Sequence, residues 1–116
     1  MIDRDCLFCK IGAREIPADV VHETDRVVAF RDINPQAPTH ILLIPKEHLP
    51  SVAHLDEDHD ALLGELVRAA HQLARSESID EGGWRLVTNV GPDAGQSVPH
   101  LHFHLLGGRS MSWPPG

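Results

Sequence analysis

A segment near the C-terminus, His100-Leu101-His102-Phe103-His104-Leu105-Leu106, alternates histidine with apolar side chains. Since successive side chains of a β-strand point to opposite faces, this alternation predicts a strand over residues 100–106. Leu101, Phe103 and Leu105 would enter a hydrophobic core, and the histidines would line the opposite face. Such a strand needs neighbouring strands and a cover for its apolar face, so the segment constrains the whole fold.

The rest of the chain predicts one long helix and further strands. Apolar residues at three- and four-residue spacing predict a helix from Asp58 to about Ser76, with Asp56 as its N-cap. A short helical turn is predicted over residues 5–12. Strands in succession around a single long helix indicate the α+β class. We therefore predict one domain over residues 1–116, with a five-stranded antiparallel sheet, one long helix and a short N-terminal helix. The other predicted strands cover residues 20–23, 27–30, 40–45 and 84–89.

Charge is unevenly distributed along the chain. The protein has 17 acidic side chains against 10 lysines and arginines, and eight of the acidic ones lie within residues 54–81. The last 23 residues, from Ala94 to Gly116, contain no aspartate or glutamate. A general nucleic-acid binder would show a basic face, so this distribution disfavours nucleic acid as a partner. A small anion could still bind near the carboxylate-free end through local donors.

Two features predict where the protein resides. The longest aliphatic run is Ile41 to Ile44, which is far too short to span a membrane. The first residues lack the apolar core of a signal peptide. We therefore expect a cytoplasmic protein without a membrane partner, whose cysteines are reduced or metal-bound rather than joined in a disulfide.

The histidine segment by itself has three explanations. The histidines could form the polar face of a half-buried strand and have no further role. They could bind a catalytic zinc ion, because histidine is the commonest metal ligand. They could also perform phosphoryl chemistry, with one imidazole attacking phosphorus and its neighbours donating hydrogen bonds to the phosphate. A free imidazole is about three-quarters neutral at pH 7, so it needs no base to become nucleophilic.

The pair Cys6-Leu7-Phe8-Cys9 indicates either metal binding or redox chemistry. A redox pair usually follows a strand, and this pair lies at the N-terminus instead. A zinc site would need two more ligands, for which the chain has many histidines.

Three blocks of the sequence, in this order, resemble the histidine triad nucleotide-binding (HIT) proteins, and the purine nucleoside phosphoramidase branch among them. The run H-L-H-F-H-L-L matches the triad pattern of alternating histidine and apolar residues. It lies within TNVGPDAGQSVPHLHFHLLGGR, from Thr88 to Arg109. The other blocks are AFRDINPQAPTHILLIPKEHL, from Ala29 to Leu49, and the ending Trp113-Pro114-Pro115-Gly116. The likeness covers nearly all of the chain, and it implies a HIT-like fold.

The resemblance implies roles for three histidines. His102 would attack the α-phosphorus of a nucleotide and form a transient nucleotidyl-histidine. His104 would donate hydrogen bonds to the phosphate oxygens, while His40 would orient its neighbours or relay protons. Ser97 would hydrogen-bond the leaving group. No catalytic metal is needed for this chemistry.

The resemblance also implies a nucleotide-binding site. In the loop before the triad, Asn89, Gly95, Gln96 and Ser97 would contact the phosphate and the leaving group, since glycines let backbone N–H groups approach closely. Asp32 would accept hydrogen bonds from the ribose hydroxyls. The residues that would line the base pocket are Phe8, Ile16, Phe30, Ile33 and Leu42.

In similar bacterial and plant proteins, a structural zinc ion binds residues that correspond to Cys6, Cys9, His48 and His100. The phosphoramidase branch often lacks the cysteines, so this chain combines features of both. As a zinc ligand, His100 would have to turn away from the face of the other triad histidines, and Pro99 permits a bend there. The tail that contains Trp113 would reach the partner's site in a homodimer.

Three functions follow from the resemblance. The first is hydrolysis of purine nucleoside 5′-phosphoramidates to a nucleoside monophosphate and an amine, and the WPPG ending and the GQSV block favour it. The second is hydrolysis of dinucleoside polyphosphates, as in a neighbouring branch. The third is a nucleotide-binding interaction protein without a catalytic role, against which the intact His102 argues.

Overall fold

The computed structural model describes residues 3–116 and contains one five-stranded antiparallel sheet. The strands are β1 (Val20–Glu23), β2 (Val27–Arg31), β3 (Thr39–Pro45), β4 (Trp84–Thr88) and β5 (Phe103–Gly107), and the helices are α1 (Leu7–Gly12) and α2 (Asp60–Ser76). The order across the sheet is β1-β2-β3-β5-β4, so β5 lies between β3 and β4. The predicted α+β fold, with its five strands, long helix and short N-terminal helix, is confirmed.

The long helix begins slightly later than its sequence predicts. A 3₁₀ turn, Glu57–His59, precedes α2, and Asp56 caps this turn by accepting a hydrogen bond from the Asp58 N–H at 2.9 Å. The His59 ring completes a reciprocal cap by accepting from the Asp56 N–H at 3.0 Å. The predicted start at Asp58 is therefore wrong by half a turn, because the capped residues adopt the tighter helix. None of the described helices is long and apolar enough to cross a bilayer.

Each face of the sheet carries a hydrophobic core. The larger core lies between the sheet and the apolar side of α2, and includes Leu66 and Ala70 of the helix with Ile41 and Leu43 of β3. A smaller core lies on the other face, where α1 packs against β2 and β3. Because side chains alternate along β3, His40, Leu42 and Ile44 belong to this second face. The short helix α1 therefore occupies the same face as the histidines.

The histidine segment is a strand only in its second half. β5 begins at Phe103, so the prediction of a strand from His100 is wrong for residues 100–102. A bend over residues 98–100, which include Pro99, precedes this point, and the Thr88 hydroxyl donates to the His102 carbonyl at 2.8 Å. Leu101, Phe103 and Leu105 nevertheless enter the larger core as predicted. Because His100 lies outside the strand, its side chain need not point to the same face of the sheet as those of His102 and His104.

Replacing Leu66 with alanine tests the larger core. Leu66 is 1% exposed, whereas its neighbour Val67 on the same helix is 42% exposed. We expect Leu66→Ala to lower the free energy of unfolding by about 2–5 kcal/mol, through lost burial and the cavity left behind. Val67→Ala should change it by about 0.5 kcal/mol or less. Urea denaturation measures both, and equal effects would show that α2 is not held by this face.

Candidate active site and metal cluster

The backbone fixes the proton of His102. Its Nδ1 lies 2.7 Å from the carbonyl oxygen of His100, and a carbonyl can only accept, so Nδ1 carries the hydrogen. The other ring nitrogen, Nε2, therefore keeps its lone pair. The Phe8 and His102 rings pack edge to face, with centroids 5.1 Å apart. His102 is 5% exposed, so both its orientation and its tautomer are set before a substrate arrives.

A second hydrogen-bond chain orients His104. The backbone N–H of Gln36 donates to Nδ1 of His40 at 3.0 Å, which places the hydrogen of His40 on Nε2. That nitrogen lies 2.9 Å from Nδ1 of His104, which must accept. His104 consequently presents an N–H donor at its Nε2 atom. A neutral imidazole that is fixed in this tautomer can donate to a phosphate oxygen.

Burial keeps this pair of histidines neutral. Desolvation lowers the pKa of His104 to about 4, and the neighbouring His102 and His40 rings act in the same direction. Desolvation also lowers the pKa of His40, although the Asp32 carboxylate opposes it from 3.4 Å. Both shifts favour the uncharged form of the rings, and that form keeps the hydrogen-bond chain in the direction described above.

The two rings that could act on phosphorus are neighbours. His104 lies on β5 and pairs with Leu42 of β3 and Val87 of β4, in the middle of the sheet. Its ring centroid is 5.1 Å from that of His102. A lone pair on one ring and an N–H on the other are therefore placed side by side on one face, as nucleophilic attack on a phosphate requires.

The loop before the triad is held by the side chain of Gln96. Its amide oxygen accepts from the Gly91 N–H at 3.0 Å, and its nitrogen donates to the carbonyls of Pro50, at 2.7 Å, and Val98, at 3.1 Å. The structure therefore gives Gln96 a positioning role, since loop carbonyls already occupy its amide donors. Gly95 has a φ of +80° with open space around it, which suits close approach of a ligand to its backbone.

Four side chains meet at a second cluster beside the triad. The Nδ1 atom of His100 lies 3.4 Å from Sγ of Cys6 and 3.5 Å from Sγ of Cys9, and Nδ1 of His48 lies 3.3 Å from Sγ of Cys9. Two ligands on a tetrahedral zinc ion lie about 3.6 Å apart, given the usual zinc–sulfur and zinc–nitrogen bond lengths. The four ligand atoms lie within 4.8 Å of one another, so the cluster fits a metal ion.

Proton positions in this cluster also suit a metal. Nε2 of His100 lies 2.8 Å from the carbonyl of Pro45 and must donate to it, which leaves the lone pair of Nδ1 facing the sulfurs. Burial lowers the pKa of His100 to about 4 and raises the pKa of the Cys9 thiol. A metal ion would bind the neutral imidazole directly and displace the thiol protons.

A third group, Asp32 with His40 and His104, has similar spacing but the wrong proton positions. A metal-bound histidine donates its other ring N–H to an acceptor. The Nδ1 atom of His40 instead accepts a hydrogen bond from Gln36, so its Nε2 must carry the proton that a metal would displace. The group is therefore suited to relaying hydrogen bonds rather than to binding metal.

Comparison with known proteins identifies the family. A model of the HIT domain matches residues 13–111. This chain belongs to the HIT domain family. A solved HIT family hydrolase from Legionella pneumophila is 53% identical, with a TM-score of 0.94 over 96% of this chain and 99% of its own. A 14 kDa zinc-binding protein from Zea mays is 52% identical over 98% of this chain and 90% of its own length. Adenylylsulfatase HINT1 from Arabidopsis thaliana is 50% identical over 98% and 78%, respectively.

The HIT domain places the predicted base-pocket residues in different environments. Phe8, Phe30 and Leu42 are buried together in the smaller core beneath α1, so they serve as core residues as well. Ile16 is half-buried at the border of this core. Ile33 is fully exposed and free to contact a ligand.

Three predicted site residues lie on loops or in the tail. Asp32 caps its own loop by accepting from the Asn34 N–H at 2.8 Å, while its second oxygen faces His40. Ser97 is exposed and lines a cavity beside Cys6 and His48, on the side of the metal cluster. Trp113 is 81% exposed in the tail that follows the matched HIT domain.

Sequence reasoning missed two arginines beside the triad. Arg85 and Arg109 line a cavity of about 400 Å³ together with His40, His104 and Asn89. They come from β4 and from the segment after β5, so no local motif relates them. The one available signal was the lack of carboxylates from Ala94 to Gly116, which is compatible with a small anion at this end of the chain.

Proposed function

We propose that this HIT domain protein hydrolyses purine nucleoside 5′-phosphoramidates, releasing an amine and a nucleoside monophosphate. The observation that carries this proposal is the fixed tautomer of His102, whose Nδ1 hydrogen is held by the His100 carbonyl at 2.7 Å. The N–H of His104 on the same face supports it, because this donor can stabilise charge on the phosphate oxygens.

The reaction proceeds in two displacements. In the first, Nε2 of His102 bonds to the α-phosphorus as the phosphorus–nitrogen bond breaks, and the departing amine takes up one proton. In the second, water attacks phosphorus, His102 leaves, and one proton is released. Ser97 and the triad histidines are the groups assigned to carry these protons. The phosphate would be held by Asn89, the Gly95 backbone and His104.

The nucleoside would bind across the second face of the sheet. Asp32 would accept from the ribose hydroxyls, and the base would lie against Ile33, Ile16 and the rim of the core that Phe8, Phe30 and Leu42 form. We also propose a cytoplasmic homodimer, in which the exposed Trp113 reaches the partner's site.

Zinc is the metal we propose for the cluster of Cys6, Cys9, His48 and His100. Two thiolates with two imidazoles are a common structural zinc set, and burial of the cluster suits a closed site without bound water. Zinc would hold α1 against the segments that follow β3 and precede β5. It takes no part in the reaction.

The activity is tested by steady-state kinetics without added metal. Hydrolysis of an adenosine 5′-phosphoramidate is compared with hydrolysis of diadenosine tetraphosphate in parallel assays. We expect kcat/KM to be at least about tenfold higher for the phosphoramidate, because the WPPG ending and the GQSV block resemble the phosphoramidase branch. A preference for the tetraphosphate would assign the chain to dinucleoside polyphosphate hydrolysis. Turnover of neither compound, with nucleotide still bound, would identify a nucleotide-binding protein instead.

A further inference from the structure

The loop between β2 and β3, residues 32–38, supplies the hydrogen bond that sets the tautomer of His40. The N–H of Gln36 donates to Nδ1 of His40 at 3.0 Å, and Nε2 of His40 lies 2.9 Å from Nδ1 of His104. This donor is a backbone group, so its position depends on the conformation of the loop. Among residues 33–38 only Ala37 is buried, so packing in the core contributes little to holding the loop in place.

The segment that follows β5 contacts this loop at two points. Arg109 donates through Nε to the Gln36 carbonyl at 3.0 Å, and through Nη1 to the Ser110 carbonyl at 3.0 Å. Gly108 has a φ of +91°, and a Cβ atom at this position would lie 2.9 Å from Cβ of Pro38. A side chain at Gly108 would therefore be strained and would push against the loop.

Gln36 is held at both of its backbone groups. Its carbonyl accepts a charge-assisted hydrogen bond from Arg109, while its N–H donates to His40. Thr39 pairs with Gly107, so the start of β3 and the end of β5 bring the loop and the segment after β5 together. The position of Arg109 is thereby connected to His104 through Gln36 and His40.

The guanidinium group of Arg109 is directed at backbone and not at a carboxylate. Within residues 3–116, the ion pairs of arginine side chains involve Arg14, Arg26 and Arg31. The two hydrogen bonds that the structure gives Arg109 both go to backbone carbonyls. Because the donor is charged, each of these bonds is stronger than a neutral hydrogen bond, which suits a side chain that fixes a loop.

We propose that Arg109 is a positioning residue, which keeps the N–H donor of His104 directed at the phosphate. This inference rests on the proposed function, in which His104 donates to a phosphate oxygen. Without the bond from Arg109, the Gln36 N–H would move away from His40, and the hydrogen on Nε2 of His40 could transfer to Nδ1. His40 would then accept from Nδ1–H of His104, and Nε2 of His104 would present a lone pair that repels the phosphate oxygens.

Two substitutions at Arg109 separate a positioning role from that of a free positive charge. The side-chain nitrogen of glutamine is as many bonds from the backbone as Nε of arginine. Arg109→Gln therefore keeps a donor for the Gln36 carbonyl and removes the charge, whereas Arg109→Met removes both.

The kinetic prediction concerns kcat rather than KM. We expect Arg109→Met to reduce kcat for an adenosine 5′-phosphoramidate by about tenfold or more, with KM within about twofold of the parent, because the His104 donor acts mainly in the transition state. Arg109→Gln should restore kcat to within about threefold of the parent, since its amide still donates to the loop. Arg68→Met, the same change at an exposed arginine of α2, is the matched control and should keep the parental kcat.

¹⁵N NMR of the histidine rings measures the tautomers without any substrate. Nδ1 of His40 should have the chemical shift of an unprotonated nitrogen in the parent and in Arg109→Gln. In Arg109→Met its shift should move towards that of a protonated nitrogen. Gly108→Ala should cause the same change with Arg109 still present, because it displaces the segment that holds the loop. This second variant keeps the test valid if Arg109→Met does not fold.

The outcomes separate the positioning role from the proposed function. An unchanged His40 spectrum in Arg109→Met and Gly108→Ala would overturn the positioning role, even if both variants unfold at a lower temperature. Equal losses of kcat in Arg109→Gln and Arg109→Met, or a raised KM with the parental kcat, would also overturn it and would indicate that Arg109 binds substrate through its charge. If the parent does not hydrolyse the phosphoramidate, the proposed function is wrong, whereas the ring spectra still decide whether Arg109 sets the tautomer.

Discussion

Replacing His102 with alanine is expected to reduce kcat for the phosphoramidate by about a thousandfold or more, while nucleotide binding persists. Removal of a nucleophile deletes the covalent route, and only transition-state stabilisation by the remaining groups is left. In this protein those groups are the His104 donor and the loop backbone. Because neither can bond to phosphorus, the residual rate should be small.

The prediction of persistent binding depends on groups that His102→Ala leaves unchanged. The hydrogen-bond chain from Gln36 through His40 to His104 does not involve His102, so the variant should keep the surrounding site and its affinity for a nucleoside monophosphate. His22→Ala is the matched control, since His22 is a half-buried histidine on the outer strand β1. This control should retain the parental rate and stability.

Mass spectrometry of the quenched reaction provides a second measurement of the same prediction. The parent protein should show a covalent adduct of one nucleoside monophosphate per chain, and His102→Ala should show none. A rate within about tenfold of the parent in the alanine variant would assign the nucleophile to another residue.

Much of the fold was predictable because local patterns determine it. The three- and four-residue spacing that contains Leu66 and Ala70 defines one buried face of α2, and the alternation of Leu101, Phe103 and Leu105 defines their burial against it. Both patterns depend only on residues that are close in sequence. They therefore predict the buried face correctly even when the predicted ends of the helix or strand are wrong by a few residues. The start of β5 was not predictable in this way, because residues 100–102 continue the alternation of histidine and apolar residues although they lie outside the strand.

The candidate site depends on contacts between distant parts of the chain. Cys6 and His100 are 94 residues apart, so their proximity came from a family resemblance rather than from spacing. Similarly, the tautomer of His40 depends on the backbone of Gln36, which no sequence pattern reveals. Arg85 and Arg109 meet only once β4 and β5 are paired. Sequence periodicity therefore predicts which face of a helix or strand is buried. The chemistry of this site instead depends on contacts between segments that are distant in sequence.

Removal of the proposed zinc ion is expected to weaken the fold and to loosen the His102 ring. The cluster joins α1, through Cys6 and Cys9, to His48 and to His100, and the carbonyl of His100 holds the ring of His102. With zinc absent, buried thiols and a neutral imidazole would face one another without a common ligand. When the free metal concentration is a thousandfold above the dissociation constant, binding adds about 4 kcal/mol to the free energy of unfolding. Chelation should therefore lower Tm by about 10 °C or more.

Thermal unfolding with and without a zinc chelator measures this effect, alongside the zinc content per chain. Cys9→Ser should match the chelated parent in Tm, and the chelator should not lower its Tm further, because the site has already lost a ligand. ¹⁵N NMR of the histidine rings adds a direct test of the connection to the active site. The Nδ1–H signal of His102 should be single and sharp in the zinc-bound protein and should exchange between tautomers after chelation. An unchanged Tm and His102 spectrum in zinc-free protein would show that Cys6, Cys9, His48 and His100 stabilise this region by packing alone.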